Sequence, residues 1–294
     1  AARKLPWDIQ NLSLNKKLIK YISDPGDRKI VLFFIQQFEE FVLPKLNELR
    51  KSIIHNDTNE WNILLKNNNK VCLIDFGDLA ESQLVNEVAI SMVYASYSNE
   101  NPLQNASDIL KSYNKVIQLT DKEISLLYYL MAAKLCISVC NSAYSRKKDP
   151  SNKYALISEK NAWKMLRFLV KTSPEYVENT FRKVLNKKKK NFKKISAYLK
   201  ERNSILSPIF SISYDKPIVF ERSAFQYMFD TKGNTFLDAY NNIPLVGHAH
   251  PKVNDAISKQ IKKLNTNTRY LYDKLYEYGK KLLNKFPKKL NTIY

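Results

Sequence analysis

Apolar positions along the first third of the chain follow two rhythms. Over residues 30–49, Val31, Phe34, Phe38, Phe41, Val42, Leu46 and Leu49 recur mostly at three and four. That spacing places them on one face of an amphipathic helix, which Pro44 is expected to kink. Asp24-Pro25-Gly26-Asp27 is the turn before it, with Asp27 as the expected N-cap. The rhythm then shortens. Ile53-Ile54 and Ile63-Leu64-Leu65 are short apolar runs around a polar loop, Asn67-Asn68-Asn69 is a turn, and Val71 to Ile74 is a strand ending at an acid, Asp75.

Beyond Asp78 the helical period returns, predicting helices over 84–97, 106–117 and 154–170. Thr120-Asp121-Lys122-Glu123 is a capping box opening a long apolar helix through Tyr144, and Ser173-Pro174 reads as an N-cap followed by proline at the first helical position. A short helix is expected over 195–205. The pattern then changes to strands at 218–221, 227–230 and 235–238, with Thr231-Lys232-Gly233-Asn234 as a turn. Pro251 starts a further amphipathic helix to about residue 264.

The chain has 294 residues with a net charge of +20, and the charge is uneven. Residues 181–205 carry ten Lys or Arg against one Glu, including the run Lys187 to Lys190. Lys and Asn are abundant throughout, so this tract is expected to be a solvated basic linker, and nucleic acid is not the expected partner. The three cysteines are Cys72, Cys136 and Cys140. The last two lie four apart on a helix face as small buried hydrophobes, and the absence of a disulfide framework points to a cytoplasmic protein. No apolar segment is expected to span a membrane, and no signal peptide is visible. With five glycines, none in a G-x-G-x-x-G or Walker pattern, the chain has no glycine-rich phosphate loop.

The chemistry concentrates in His55-Asn56-Asp57-Thr58-Asn59-Glu60-Trp61-Asn62 and Ile74-Asp75-Phe76-Gly77-Asp78. Two carboxylates and an amide are delivered at strand ends within one small unit. Phosphoryl transfer needs one carboxylate to orient and deprotonate a hydroxyl, and hard oxygen ligands for magnesium. Asp57 is then the catalytic base and Asn62 and Asp75 the metal ligands, with His55 bracing the loop. Asp78 and Glu87 are supporting candidates, each expected first as a solvated surface charge.

The spacing H-x-D-x-x-x-x-N, an apolar strand, then D-F-G resembles the catalytic and metal-binding loops of protein-kinase-like enzymes. With Asn62-Ile63-Leu64 and Ile74-Asp75-Phe76-Gly77-Asp78, and with Trp7-Asp8 upstream, it is similar to the aminoglycoside phosphotransferase and choline kinase branch. That branch usually has Gly where this chain has Asn56, a residue that tolerates a left-handed backbone. The resemblance implies a mostly helical kinase C-lobe over 1–186, ATP with Mg2+, and a small amino alcohol or amine as substrate. It also implies that nothing ahead of Trp7 supplies the nucleotide-binding N-lobe.

A second resemblance begins after the basic linker, 187–205. Gly233-Asn234, Leu237-Asp238, Gly247-His248-Ala249-His250-Pro251 and Leu264-Asn265-Thr266-Asn267-Thr268-Arg269-Tyr270 are similar to the opening of class III, fold-type I aminotransferases, and to their phospho-lyase subgroup. A metal site at His248 and His250 is not expected, as neither has Cys or acidic partners at ligand spacing. The resemblance implies pyridoxal 5'-phosphate as cofactor, Tyr240, Asn241, Asn242 and Arg269 near substrate, and a homodimer formed through this half. No lysine here sits in the context of the cofactor lysine. The expectation is an α+β chain: a helical kinase-like lobe with a small strand unit, then the partial α/β start of an aminotransferase over 206–294. Such a chain is a piece of a bifunctional enzyme, inactive alone. The alternative is an inactive kinase-like scaffold or a basic nucleic-acid module, against which intact Asp57, Asn62 and Asp75 weigh.

Overall fold

In a computed structural model, residues 4–66, 70–98, 101–150, 154–189, 192–240 and 245–293 are described. The chain is helix-rich with three small antiparallel sheets, and it divides into two compact units, Ala1–Pro251 and Lys252–Tyr294.

The first unit opens with a 3-10 helix, Ile9–Tyr21, and then α1, Pro25–Phe41. Asp24, not Asp27, is the N-cap of α1. Its carboxylate accepts the N–H of Asp27, the third helical residue, at 2.7 Å, and Pro25 takes the first helical position, where its missing N–H costs nothing. Pro44 does not kink α1. The helix stops at Phe41, and Pro44 sits in the first turn of a separate 3-10 helix, Leu43–Glu48. Four strands follow in two pairs. β1 (Lys51–Ile54) pairs with β4 (Ala80–Gln83), and between them β2 (Ile63–Lys66) and β3 (Lys70–Leu73) form a hairpin. The expected turn at residues 67–69 lies outside the described residues.

Then come α2 (Leu84–Ala95), α3 (Pro102–Val116), α4 (Asp121–Lys148), α5 (Tyr154–Val170), α6 (Pro174–Val184) and α7 (Ile195–Ile205). The Thr120–Glu123 capping box forms in full, and Ser173 caps α6. α4 corrects one expectation: its 28 residues include a window long and apolar enough to cross a membrane. Here 89% of that window is buried, because α4 packs against the first 3-10 helix, α1, α2, α5 and α6. A helix apolar all round is a core helix when neighbours cover every side. Cys136 and Cys140 are buried in it as free thiols.

The sheet β5 (Phe220–Ala224), β6 (Tyr227–Asp230), β7 (Thr235–Leu237) belongs to the same compact unit. Phe225 packs against Phe33 of α1 with ring centroids 5.2 Å apart. Arg222 bonds buried Glu175 of α6 at 2.7 Å and covers the Phe41 ring at 4.4 Å. Gly233, at φ 88°, lets the β6–β7 turn press on α6, since a Cβ there falls 2.7 Å from Tyr176 Cβ. In the second unit, α8 (Pro251–Lys263) follows the expected helix, and α9 (Asp273–Leu283) is an additional one.

Candidate active site

The loop between β1 and β2 is built around a backbone turn that few side chains accept. Asn56 has φ 67°, the left-handed region expected from its place in the motif, and its N–H donates to Glu87 Oε2 at 3.1 Å. Asp75, two residues beyond β3, is also left-handed, at φ 61°. Strained non-glycine residues of this kind gather at functional sites because the surrounding fold must hold them there.

Two bonds bring the strand end to the loop. The Ile74 N–H donates to the Asn62 carbonyl at 3.1 Å, and His55 Nε2 donates to the Ile74 carbonyl at 2.9 Å. The His55 ring also packs on Phe76, with centroids 5.3 Å apart. His55 is buried, the Asp57 side chain is 25% exposed, Asn62 is buried and Asp75 is exposed.

Asp57 is held from four directions. Tyr94 Oη donates to Oδ1 at 2.9 Å, and the Lys134 ammonium lies 3.5 Å from the same oxygen. Asn59 Nδ2 donates to Oδ2 at 2.8 Å, and Asn62 Nδ2 reaches it at 3.3 Å while also bonding the Asp57 carbonyl at 2.9 Å. Those bonds occupy the Asn62 nitrogen and leave its amide oxygen for a cation. Asp75 spends one oxygen on the Gly77 N–H at 3.3 Å. One amide oxygen and one exposed carboxylate suit Mg2+, which keeps several waters and takes few protein ligands. Among the described residues no three His, Cys, Asp or Glu are grouped to hold a metal by themselves.

Asp78 and Glu87 are not solvated surface charges. Burial and the nearby Asp57 carboxylate raise the Asp78 pKa, against a Trp7 hydrogen bond and Lys134. Glu87 turns one oxygen to the Asn56 N–H and has the other buried without a partner. Tyr94 is driven strongly up by burial and by Asp57, so it remains a hydrogen-bond donor. Tyr97, edge-on to Tyr94 at 5.8 Å, has a buried hydroxyl with no partner.

Sequence reading missed Tyr94, Tyr97 and Lys134. For Lys134 a signal existed: it is the one charged residue between Glu123 and Arg146.

The remaining predicted positions belong to the second resemblance. Tyr240 is exposed in the first unit and Arg269 exposed in the second, while Asn241 and Asn242 lie outside the described residues. His248 does have an acidic partner, Asp238, ten residues upstream and 2.7 Å from Nε2. Its backbone pairs with Phe225 at 2.8 and 2.9 Å, a contact that Gly247 at φ 82° permits.

Residues 6–113 match the phosphotransferase enzyme family. The N-terminal part of the chain is similar to hydroxylysine kinase of Xenopus laevis, 33% identical over 183 residues that make up 58% of this chain and 49% of that protein. Another stretch is similar to ethanolamine-phosphate phospho-lyase homolog 1 of Caenorhabditis elegans, 38% identical over 90 residues, 30% of this chain and 19% of that one. It is similar also to mitochondrial alanine–glyoxylate aminotransferase 2 of Pongo abelii, 35% identical over 92 residues, 30% of this chain and 18% of that one. The chain thus spans about half the length of the kinase relative it matches, and less of the other two. The N-terminal part of this chain thus matches the phosphotransferase enzyme family, and a separate stretch is similar to aminotransferases and phospho-lyases.

Proposed function

We propose that this chain carries the catalytic loop and acceptor side of an ATP-dependent kinase for a small hydroxylated amine. The segment after residue 206 is then the opening of a pyridoxal-phosphate-dependent phospho-lyase or aminotransferase. The observation that carries the kinase half is the Asp57 carboxylate, oriented by Tyr94, Asn59, Asn62 and Lys134 beside Asp75. Kinship to a protein named hydroxylysine kinase favours a hydroxylated amino acid as acceptor.

Asp57 accepts the substrate hydroxyl's hydrogen bond at Oδ2 in exchange for the 3.3 Å contact from Asn62. It aligns the oxygen with the γ-phosphorus and takes the proton as the new O–P bond forms and the bond to the β-phosphate oxygen breaks. Because the transition state is loose, alignment matters more than basicity, which suits a carboxylate already met by several donors. Asn62 and Asp75 would hold Mg2+, which neutralises charge on the phosphates. One face of the hairpin β2–β3 exposes Ile63, Leu65, Val71 and Leu73, an apolar floor suited to a nucleotide base. No residue of this chain is assigned to hold pyridoxal phosphate, and no step is drawn through it. Phosphorylation would convert a poor hydroxyl leaving group into phosphate for a lyase to eliminate.

The test is the full-length natural protein with Mg2+ and ATP against hydroxylysine, ethanolamine and related amino alcohols, followed by ADP release and product mass. Asp57→Asn and Asp75→Asn should each lower kcat by about 100-fold or more. No ADP above the hydrolysis background with any acceptor would sink the kinase reading.

A further inference from the structure

We infer that Lys134 is a positioning residue for the catalytic loop, fixing Asp57 from the middle of the core helix α4. This deepens the kinase reading above and rests on it. Lys134 is buried, with 5% of its surface exposed, on a helix that is otherwise uncharged from Ile124 to Ser145. Its ammonium lies 3.5 Å from Asp57 Oδ1 and 5.5 Å from the centre of the Tyr94 ring, whose hydroxyl bonds the same Oδ1. It also acts on Asp78, the second acid of the cluster.

A buried ammonium without a counter-charge costs several kcal/mol, so a lysine retained there must be answered by a carboxylate. Asp57 is the ion-paired one. Apolar packing alone would be served as well by Met or Leu, which have the shape but not the charge. The geometry therefore divides the labour on one carboxylate. Lys134 and Tyr94, both on rigid helices, fix Oδ1, while Asn59 and Asn62 on the loop hold Oδ2. Oδ1 is the anchor, and Oδ2, whose donors sit on the loop and beside the metal ligands, faces the reaction. Lys134 itself is not placed against substrate.

The experiment compares Lys134→Met and Lys134→Arg with the unaltered full-length protein, measuring kcat and KM for the acceptor and the thermal midpoint. The expected result is a loss of kcat of about 10- to 100-fold in Lys134→Met with KM changed less than about threefold. Lys134→Arg, which restores the charge, should recover at least a third of the lost rate on a logarithmic scale. Lys134→Met with unchanged kcat overturns the inference while leaving the kinase reading standing. An unaltered protein without kinase activity overturns both.

A buried substitution can fail to fold, so a second measurement uses the unsubstituted lysine. In protein labelled with 15N-lysine, the Lys134 ammonium resonance should shift on Asp57→Asn, a near-isosteric change on the loop outside the helical core. An unmoved resonance overturns the pairing on which the inference stands.

Discussion

His55 Nε2 lies 2.9 Å from the carbonyl oxygen of Ile74, the residue immediately before Asp75. A single imidazole thus ties the loop carrying Asp57 and Asn62 to the strand that delivers the second acid. His55→Ala should leave the helical core intact, since its circular dichroism comes from α1 to α6. Freed from the brace, Asp75 should shift, and kcat should fall by about 10-fold or more. Steady-state kinetics of the full-length protein at saturating Mg2+ measure this.

Asp78 supplies a prediction of opposite sign for stability and activity. Its folded-state pKa is raised, first by burial and then by Asp57. An acid whose pKa rises on folding opposes folding when ionised; the penalty shrinks as pH falls below the folded-state value and is gone below the unfolded-state value of about 3.9. Asp78→Asn should therefore melt at a higher temperature than the unaltered protein at pH 7, and the gap should close toward pH 4. The same change should raise the Mg2+ concentration needed for half-maximal rate, by removing negative charge beside Asp75.

Glu123 behaves in the opposite way. Burial raises its pKa, but the Arg50 guanidinium, bonded at 2.6 and 2.9 Å, and the Thr120 N–H pull it below the usual carboxylate value. Its contribution is present above the unfolded-state pKa of about 4.3 and is lost as pH falls through the lower folded-state value. Glu123→Gln should cost about 1–2 kcal/mol at pH 7, since the Arg50 end is half-exposed. Urea unfolding at pH 7 and pH 3 tests this, the deficit shrinking at the lower pH.

Arg222 of β5 is ion-paired with Glu175 of α6. Arg222→Ala strands buried Glu175 without its guanidinium and should cost about 3 kcal/mol. Because the loss is local, limited proteolysis should cut the segment 206–240 faster while sparing α4. Gly233→Ala should act in the same direction, through its positive φ and the approach to Tyr176.

Local rules made much of this legible before any coordinates. The capping box at Thr120, the Ser173-Pro174 start and the three strands after residue 218 depend on neighbours in sequence, and each forms. The left-handed Asn56 followed from its place in a short motif. What sequence concealed were relationships between distant segments. β4 was missed because its partner β1 lies 26 or more residues away and only pairing defines it. Tyr94 and Lys134 read as ordinary helix residues until α2 and α4 carry them to Asp57. The N-cap of α1 lies three residues before the expected Asp27: both Asp24 and Asp27 fit the pattern, and Pro25, whose fixed φ suits the first helical position, puts the cap at Asp24.

α4 behaves mechanically as a single rod with fittings along its length. At its first turn Glu123 grips Arg50 at the root of β1, at mid-length Lys134 grips Asp57, and near its far end Arg146 grips Glu159 at 2.6 Å. Heritable damage to activity should therefore map along the whole of α4 and not only around the loop it steadies.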